Sequence, residues 1–475
     1  MIYVSENVGH YCGLFGVYGH PDAVDLTYLA LYAQQHRGEE AAGICSSDGS
    51  QIVRYTGSGL VADVFDKRKL EQLHNPHAIG HVRYSTTGSS HHLNIQPFLA
   101  EYAAGQVAVA HNGNLINAPK LRHDYESRGH IFNTTSDTEV ILHLLADPRI
   151  QDADDPLGEA LRYLQGAFSL VFLLPDKVIA ARDPYGIRPL CIGRLSGGAY
   201  CVASETCAFD IIDAEYVRDV VPGEIVTIDD RGIRSRFYVE QQATPAHCIF
   251  EMIYFADPAS DVFGENVHEV RRAMGRQLAR EAPADADVVI PVPNCARCAA
   301  QGYHEESGIE IGRGFTTSHY VGRSFIQPSQ QIRDLVVKMK LNVIKPSVAG
   351  KRLVVVEDSV VRGTTTRGKM GALREAGARE IHLRVASPPI RHPCHYGIDF
   401  PDPNELIANG RTVEGIRQYL GVDSLSYLSL EGMLSCMKQP ADNYCTACFS
   451  GQYAIPVDHQ LTKFALERHQ MKMFE

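Results

Sequence analysis

Residues 12–19 form a short apolar run that begins with a thiol, Cys12-Gly13-Leu14-Phe15-Gly16-Val17-Tyr18-Gly19. A buried structural cysteine is one interpretation of this run. The alternative is that Met1–Tyr11 is a propeptide, whose removal makes Cys12 the first residue. The freed α-amino group, with a pKa of about 8, could then take the proton of the thiol, whose own pKa is about 8.5. An amino-terminal nucleophile of this kind needs no separate histidine as its base.

Four polar motifs follow, and each places compact polar groups beside a glycine or a turn: Gln35–Glu40, Gly80–Thr86, His111–Asn114 and Thr134–Asp137. An enzyme that forms a thioester needs hydrogen-bond donors aimed at the developing oxyanion, and Asn112 and Gly113 are suitable. Binding an amino acid also needs a cation for its carboxylate and an anion for its ammonium group. Arg83 and Asp137 could fill those roles, although each motif taken singly is more typical of a solvated turn or a cap.

The second chemical constellation runs from Leu353 to Thr366, where a buried strand ends in the carboxylates Glu357 and Asp358 and a loop of small residues leads into a helix. Backbone N–H groups and hydroxyls at a helix start bind phosphate, and carboxylates approach Mg²⁺ or ribose hydroxyls. The candidate phosphate ligands are Ser359, Arg362, Gly363, Thr364, Thr365 and Thr366.

Two other interpretations of this segment compete with a phosphorylated-sugar site. Gly363–Met370 nearly matches the nucleoside-triphosphate loop, but Met370 stands where a Ser or Thr should bind magnesium. Its glycines also come too late, since we expect the helix to have begun near Thr366, with Met370 and Leu373 on its apolar face. The other alternative is a purely structural strand–turn–helix unit.

The twelve cysteines include two C-x-x-C pairs. Cys445 and Cys448 have a spacing that suits one metal ion or cluster, for which Cys248 and Cys394 are candidate partners. The other pair, Cys295 and Cys298, is interpreted as structural. The remaining cysteines are predicted to be core residues: Cys45, Cys191, Cys201, Cys207 and Cys436.

The elements that must position these groups change in character along the chain. Up to about residue 240, short apolar runs closed by turns predict antiparallel strands, among them Gln106–Ala110, which ends in a turn at 111–114, and Ala167–Leu174. Asp137–Leu145 has helical spacing. A mixed layer domain of sheets and helices follows, and the polar segment Gln241–Pro245 is predicted to join it to the next domain.

From about residue 260, strands and helices alternate, which predicts right-handed crossovers and a parallel sheet. Ligands of such sheets bind at the carboxyl ends of the strands, where the Glu357–Thr366 loop lies. The predicted elements are helix Asn266–Glu281, strand Asp287–Val292, strand Lys351–Val356, helix Thr366–Ala376 and strand Ile381–Ala386.

Bulk properties exclude several classes of protein. A chain of 475 residues predicts at least two domains, and a net charge of −11 argues against a nucleic-acid or anionic-membrane surface. Apolar runs are too short to span a bilayer, and Met1–Tyr11 lacks the basic start and apolar stretch of a secretory signal. We expect a cytoplasmic protein whose cysteines are reduced.

Residues 12–240 resemble the class II glutamine amidotransferase domain, on the ordered set of motifs above together with Arg182-Asp183-Pro184-Tyr185-Gly186-Ile187-Arg188-Pro189-Leu190. This resemblance implies an amino-terminal-nucleophile hydrolase with a four-layer αββα fold. It makes Cys12 the nucleophile, Arg83 and Asp137 the glutamine-binding residues, and Asn112 with Gly113 the oxyanion hole.

The segment 353–366 is similar to the signature of type I phosphoribosyltransferases, which bind phosphoribosyl pyrophosphate. Nearly the whole chain thus resembles the amidophosphoribosyltransferase family, with propeptide 1–11, an αββα glutaminase domain 12–240 and a parallel-sheet phosphoribosyltransferase domain 260–475 that includes a cysteine-rich end. The implied reaction is transfer of the glutamine amide nitrogen to phosphoribosyl pyrophosphate, the first step of purine synthesis. Tyr320–Pro328 resembles the flexible loop that closes over the substrate.

The resemblance also implies cofactors and partners. Cys248, Cys394, Cys445 and Cys448 match the ligands of a 4Fe-4S cluster in the bacterial cluster-containing branch, with zinc as the alternative. Glu357 and Asp358 would contact Mg²⁺. Purine nucleotides are expected as feedback inhibitors, and the chain is expected to form a homodimer or homotetramer.

The chain departs from the family pattern at three places. It has Asn294-Cys295-Ala296 for the usual Asp-Ser-Gly, Glu357-Asp358 for two aspartates, and Val343 for proline. The first departure touches the expected pyrophosphate contacts and motivates an alternative, a glutaminase or amidotransferase with another acceptor. A non-catalytic regulator that binds nucleotides is the other alternative.

Overall fold

The computed structural model describes residues 12–84, 92–317, 341–399, 402–457 and 466. Two predicted features, the propeptide Met1–Tyr11 and the substrate loop Tyr320–Pro328, lie outside the described residues. None of the helices in these ranges is long and apolar enough to cross a membrane.

The first part of the chain builds two antiparallel sheets. Its strands are β1 Gly13–Tyr18, β2 Ala41–Ser47, β3 Ile52–Ser58, β4 His77–Arg83, β5 Phe98–Tyr102, β6 Gly105–Leu115, β7 Gly166–Leu174, β8 Lys177–Arg182, β9 Cys191–Leu195, β10 Tyr200–Ala203, β11 Ala214–Asp219, β12 Glu224–Asp229 and β13 Gly232–Phe237. Within the described residues, one sheet has the order β11-β9-β10-β1-β4-β2-β3 and the other has the order β13-β12-β8-β7-β6-β5.

These two sheets pack face to face, and strand β1 shows how. Phe15 and Val17 point to a helical layer, whereas Leu14 points to the opposite sheet, as expected for side chains that alternate along a strand. Gly16 permits the close approach of the sheets, because a Cβ there would lie 2.9 Å from Val171 of β7.

Helices cover the outer face of each sheet, so the four-layer αββα fold is confirmed. The helices are α1 Ala23–Ala33, α2 Val61–Val64, α3 Lys67–Leu73, α4 Ala118–Glu126, α5 Glu139–Ala146, α6 Pro148–Gln151, α7 Pro156–Arg162 and α8 Cys207–Asp210, with 3₁₀ turns Gln35–Arg37 and His92–Asn94.

The second part of the chain begins with a joining region and then alternates strands and helices. The strands are β14 His247–Cys248, β15 Asp261–Val262, β16 Glu265–Asn266, β17 Val288–Pro291, β18 Phe315–Thr317, β19 Leu341–Val343, β20 Arg352–Glu357, β21 Glu380–Val385, β22 Ser424–Tyr427 and β23 Tyr444–Cys445. The helices are α9 Val267–Glu281, α10 Arg297–Ser307, α11 Lys345–Val348, α12 Thr364–Glu375, α13 Val413–Leu420, α14 Leu430–Leu434 and α15 Ala447–Ser450, with a π-helical turn Glu251–Phe255 and 3₁₀ turns Pro403–Glu405 and Ala441–Asn443.

The parallel sheet predicted for this part is confirmed, with the order β17-β20-β21-β22. Strand β20 is buried on both faces: Val354 and Val356 share a core with α9 and α10, and Leu353 and Val355 share another with α12 and α13. Two-sided burial explains the continuous apolar run of β20, which is typical of parallel sheets.

Most predicted element boundaries lie within two residues of the observed ones, but one needs correction. The run predicted to end in a turn at His111–Asn114 continues as strand β6 to Leu115, because β7 pairs with it from Ala108 to Leu115. Helix α12 begins at Thr364, two residues before the predicted start, directly after Gly363, whose φ of +79° allows the sharp entry.

Candidate active site

Cys12 directly precedes the central strand β1 and is 8% exposed. Its thiol donates to the Tyr84 carbonyl with a sulfur-to-oxygen distance of 3.8 Å. Burial raises the pKa of the Cys12 thiol, whereas the Tyr84 carbonyl contact and the charges of Arg83 and Arg37 act to lower it. The thiol therefore needs a base close at hand to become a nucleophile.

Arg83 ends strand β4, next to β1, and its charge acts directly on the Cys12 thiol. Burial lowers the pKa of the Arg83 guanidinium, while Glu40 and Asp137 oppose that change. Gly38 fixes the approach to this residue, because a Cβ on Gly38 would lie 2.7 Å from the backbone carbon of Arg83. The structure thus places a buried cation close to the thiol, and the binding of the glutamine carboxylate by Arg83 stays a prediction.

Asp137 lies just before helix α5 and faces the same site. Its carboxylate accepts from the Leu115 backbone N–H at 2.9 Å, and its Oδ2 lies 3.8 Å from His111 Nδ1. The Asp137 charge also acts on the Cys12 thiol. Both contacts of Asp137 are with β6, so this carboxylate is held against the strand that carries the predicted oxyanion hole.

Asn112 and Gly113 lie within β6, opposite Ser169 and Phe168 of β7. Asn112 is completely buried, and neither side-chain atom, Nδ2 or Oδ1, has a hydrogen-bond partner among the described residues. A buried amide without partners costs free energy, so its retention is typical of a ligand-binding group. Gly113 has a φ of +151°, and a Cβ there would lie 1.9 Å from the Ala167 carbonyl oxygen.

A buried ionic network that the sequence did not reveal contacts Cys12. Arg37 donates from Nε to the Cys12 carbonyl at 3.1 Å and forms ion pairs with Glu205 and Glu251. All three side chains are fully buried. Although burial opposes it, the two carboxylates raise the pKa of the Arg37 guanidinium, which stays charged. Arg188 lies 3.6 Å from Glu251 and extends the network.

The second candidate site lies at one edge of the parallel sheet. Strands β17 and β20 are neighbours with Pro291 opposite Val356, and the Val292 N–H donates to the Val356 carbonyl at 2.8 Å. The loop of Asn294-Cys295-Ala296 and the loop that follows Glu357 therefore meet at the carboxyl ends of these strands. Ligands of α/β sheets bind at that edge.

Two carboxylates mark this edge. Glu357 Oε1 pairs with Lys369 Nζ at 2.8 Å, whereas its Oε2 is buried without a partner among the described residues. Burial, together with the charge of Glu357, raises the pKa of the Asp358 carboxyl to about 6. Ser359 donates to Asp358 at 2.7 Å. Lys369 lies inside helix α12, which argues against the nucleoside-triphosphate loop, where the lysine precedes or opens the helix.

The backbone of the predicted phosphate loop leads into a helix as expected, but one candidate side chain, that of Arg362, pairs with another residue of the protein. Gly363 packs against Ile407, and Thr364, Thr365 and Thr366 form the first turn of α12, so the backbone N–H groups of that turn lie at the helix start. Arg362, predicted to bind phosphate, forms an ion pair with Glu405 at 2.5 Å. Arg362 must leave this pair to reach a ligand.

The four predicted metal-ligating cysteines line one apolar cavity, together with Ile187, Ile249, Phe250, Tyr396, Ile398 and Tyr453. Cys248 and Cys445 lie opposite each other in the parallel pair β14–β23, Cys448 lies in α15, and Cys394 lies in the segment before Tyr396. This convergence brings together residues that are up to 200 positions apart in the chain.

The other cysteines follow the core prediction in part. Cys45, Cys191 and Cys201 are buried, but Cys207, the first residue of α8, and Cys436, two residues after α14, are partly exposed. Cys207 also lies close to His36 and Glu205. Each of these three side chains offers one potential metal-ligand atom, and the three atoms lie within 4.8 Å of one another. The Glu205 carboxylate in that group is already paired with Arg37, so the group is part of the ionic network.

Comparisons with known proteins agree with this architecture. The model of the glutamine amidotransferase domain family matches residues 81–210. The chain is 50% identical over 445 residues to the chloroplastic amidophosphoribosyltransferase 2 of Arabidopsis thaliana, with 94% of this chain and 79% of the relative covered. It is 44% identical to amidophosphoribosyltransferase of Bacillus subtilis, with 95% and 96% covered.

Two solved structures are similar over almost the whole chain. One is of the allosteric regulatory enzyme of purine biosynthesis, with a TM-score of 0.89 and 43% identity, covering 95% of this chain and 98% of that one. The other is glutamine phosphoribosylpyrophosphate amidotransferase from B. subtilis complexed with ADP and GMP, with a TM-score of 0.88, 43% identity and 95% and 99% covered.

Fold and site together define a glutaminase domain joined to a phosphoribosyltransferase-type domain, which is the architecture of a glutamine-dependent glycosyltransferase. The chain belongs to the amidophosphoribosyltransferase family. Its activity is the transfer of the glutamine amide nitrogen to phosphoribosyl pyrophosphate, the first step of purine biosynthesis.

Proposed function

We propose that Cys12, freed by removal of Met1–Tyr11, is the nucleophile of the glutamine half-reaction. The observation that carries this proposal is the convergence of Arg83 and Asp137 on the one buried thiol at the start of β1. Because burial raises the pKa of that thiol, an α-amino group on the same residue is the base it needs. Arg37 holds the Cys12 carbonyl and so fixes the orientation of the residue.

In the proposed reaction, the Cys12 sulfur attacks the carboxamide carbon of glutamine while the α-amino group takes the thiol proton. Arg83 pairs with the substrate carboxylate, and Asp137 pairs with its ammonium group. The Asn112 amide and the Gly113 N–H donate to the oxyanion of the tetrahedral intermediate. The carbon–nitrogen bond then breaks, the amine returns its proton to the leaving ammonia, and water hydrolyses the thioester to glutamate.

Ammonia then attacks C1 of phosphoribosyl pyrophosphate, and the bond from C1 to the pyrophosphate oxygen breaks. We propose that the first turn of α12, with Ser359 and Gly363, holds the 5-phosphate. Lys369 keeps one oxygen of Glu357 in place while the other oxygen faces away from that pair. Ammonia must travel between the two sites without meeting bulk water, since protonation would remove its lone pair. This requirement explains why one chain carries both domains.

Glu357 and Asp358 fit a Mg²⁺ site, because they are two adjacent carboxylates at the carboxyl end of a buried strand and Glu357 has a buried oxygen without a described partner. Mg²⁺ held by these carboxylates would neutralise the negative charge of the leaving group. Ser359 fixes the Asp358 carboxylate through its hydrogen bond.

The cavity formed by Cys248, Cys394, Cys445 and Cys448 fits an iron–sulfur cluster better than one zinc ion. Thiolates around one tetrahedral zinc lie roughly 3.8 Å apart. Among the described residues, no three of these sulfur atoms belong to a group within 4.8 Å of one another. A 4Fe-4S cluster places each thiolate on a different iron and so holds the sulfur atoms further apart. The apolar lining protects such a cluster from water, and we propose a structural role for it.

Purine nucleotides are proposed as feedback ligands, since the B. subtilis relative was solved with ADP and GMP. A homodimer or homotetramer is proposed for the assembly.

A coupled assay tests the proposed residue roles. Pyrophosphate release is measured with phosphoribosyl pyrophosphate and Mg²⁺, supplied with either glutamine or ammonium, for the unaltered chain and for Cys12→Ala. The proposal expects the substitution to abolish glutamine-dependent release and to spare ammonium-dependent release. Glutamate production without pyrophosphate release would show an amidotransferase with another acceptor, and an unaltered glutamine rate in Cys12→Ala would refute the assignment of the nucleophile.

A further inference from the structure

Residues 394–398, called here the docking segment, belong to two sites at once. Cys394, Tyr396 and Ile398 line the cysteine cavity. Between them, the carbonyl oxygen of His395 accepts from Asn114 Nδ2 at 2.8 Å. Asn114 lies in β6, two residues after Asn112, so the docking segment is bonded to the strand that carries the proposed oxyanion hole.

Gly397 is a second point at which the docking segment lies close to β6. Its φ is +106°, and a Cβ at this position would lie 3.1 Å from both the carbonyl carbon and the carbonyl oxygen of Gly113. Gly113 cannot move away freely, because its own Cα faces the Ala167 carbonyl so closely that a Cβ would lie 1.9 Å from that oxygen. The Gly113 backbone is therefore held between Gly397 and Ala167.

A second contact leads from the docking segment to the nucleophile. Arg188, fully buried, donates from Nη2 to the Tyr396 carbonyl and lies 3.6 Å from Glu251. Glu251 pairs with Arg37, which donates to the Cys12 carbonyl. The docking segment thus contacts the strand of the oxyanion donors directly, and it is linked to the nucleophile through Arg188, Glu251 and Arg37.

We propose that Gly397 and the hydrogen bond from Asn114 to His395 are positioning elements for the glutamine half-reaction, which set where the Gly113 N–H and the Asn112 amide point. The inference rests on the proposed oxyanion role of these two residues. A displacement of about 1 Å in such a site costs on the order of 100-fold in rate. The acceptor site at the end of β20 is built from other strands and does not depend on this contact.

The first test is Gly397→Ala, with Gly105→Ala as its matched control. Gly105 begins β6 with a φ of +109°, so alanine meets the same backbone strain there, but nothing lies within 4 Å of the added Cβ. Because a contact of 3.1 Å requires the Gly113 backbone to move by only a few tenths of an ångström, we expect Gly397→Ala to lower kcat for glutamine-dependent pyrophosphate release by about 10-fold, with KM for glutamine changed less than about 3-fold. Ammonium-dependent release and bound iron should be unaltered, and Gly105→Ala should match the unaltered chain in all four measurements.

The second test is Asn114→Ala, with Asn117→Ala as its control, and it remains informative if Gly397→Ala does not fold. Asn117 also donates to a backbone carbonyl, that of Tyr163, at 2.8 Å. We expect a fall in kcat of about 10-fold for Asn114→Ala, since one positioning contact is lost, and no fall for Asn117→Ala. Equal losses of glutamine- and ammonium-dependent rates, loss of iron, or an unaltered kcat would each overturn the inference.

Asn112→Ala separates this inference from the proposed function beneath it. If Asn112→Ala leaves the glutamine-dependent kcat unaltered, the oxyanion assignment itself is wrong. If Asn112→Ala lowers that kcat while Gly397→Ala and Asn114→Ala do not, only the positioning role of the docking segment is refuted.

Discussion

We expect removal of the buried amide of Asn112 to lower the rate of the glutamine half-reaction strongly and to change the stability of the fold little. In Asn112→Ala, the oxyanion of the glutamine intermediate loses one of its two proposed donors. Removal of one such donor typically lowers kcat by about 100- to 1,000-fold, which corresponds to about 2.7–4 kcal/mol of transition-state stabilisation. KM for glutamine should change little, because the proposed partners of the two charged groups of the substrate, Arg83 and Asp137, are unaltered.

The free energy of unfolding should respond quite differently. Neither side-chain atom of Asn112 has a hydrogen-bond partner among the described residues, so the folded chain carries the cost of a buried, unsatisfied amide, about 1–3 kcal/mol. Alanine removes that cost but leaves a small cavity, which costs a similar amount. We therefore expect the free energy of unfolding to change by less than about 1 kcal/mol.

The assay combines the kcat and KM of glutamine-dependent glutamate production with urea denaturation. Ser169→Ala is the matched control, because Ser169 lies opposite Asn112 on β7 and its hydroxyl donates to the Arg188 carbonyl at 3.2 Å. That variant should lose about 1 kcal/mol of stability and little activity. A fall in kcat of less than 10-fold in Asn112→Ala, or a loss of stability of several kcal/mol with it, would refute the reasoning.

Three further predictions follow from the same structure. Arg37→Met removes the cation that Glu205 and Glu251 share and, among the described residues, leaves them only His36 and the more distant Arg188 as cationic partners. We expect the free energy of unfolding to fall by about 3–5 kcal/mol in urea titrations; a loss below about 1 kcal/mol would contradict this. The pKa of Asp358 is raised to about 6, so protons compete with Mg²⁺ for this carboxylate as the pH falls through that value, and the Mg²⁺ concentration needed for half-maximal activity should rise below about pH 6. Asp358→Asn, whose side chain does not titrate, should show no such rise, and a flat profile in the unaltered chain would contradict the prediction. Anaerobically purified protein should contain about four iron and four sulfide per chain and lose both in Cys248→Ser, whereas one zinc per chain would contradict the cluster assignment.

Several parts of the fold and site could be predicted because their physical causes are local. The apolar run of β20 followed by Glu357 and Asp358 predicted a buried parallel strand that ends in a ligand site, and both the strand and the parallel sheet are confirmed. The αββα glutaminase fold is also confirmed. The assignments of individual site residues and the domain limits 12–240 and 260–475 stay predictions.

Other parts depend on contacts between distant segments, and no local pattern encodes them. Arg37 was visible only as part of a polar motif, since its partners Glu205 and Glu251 lie 168 and 214 positions away. His111–Asn114 has the composition of a turn, but pairing with β7 makes it a strand, an example of tertiary context overriding local preference. The contact of Asn114 with His395 joins residues 281 positions apart.

The most direct test of the whole account is the covalent product of the nucleophile with a glutamine analogue. The purified, active chain is treated with a diazoketone analogue of glutamine, digested and analysed by mass spectrometry. The account predicts a peptide whose first residue is Cys12, with the analogue on its sulfur, and inactivation of glutamine use in proportion to that label while ammonium use persists. An active chain that still begins at Met1, or a label on any other cysteine, would contradict it.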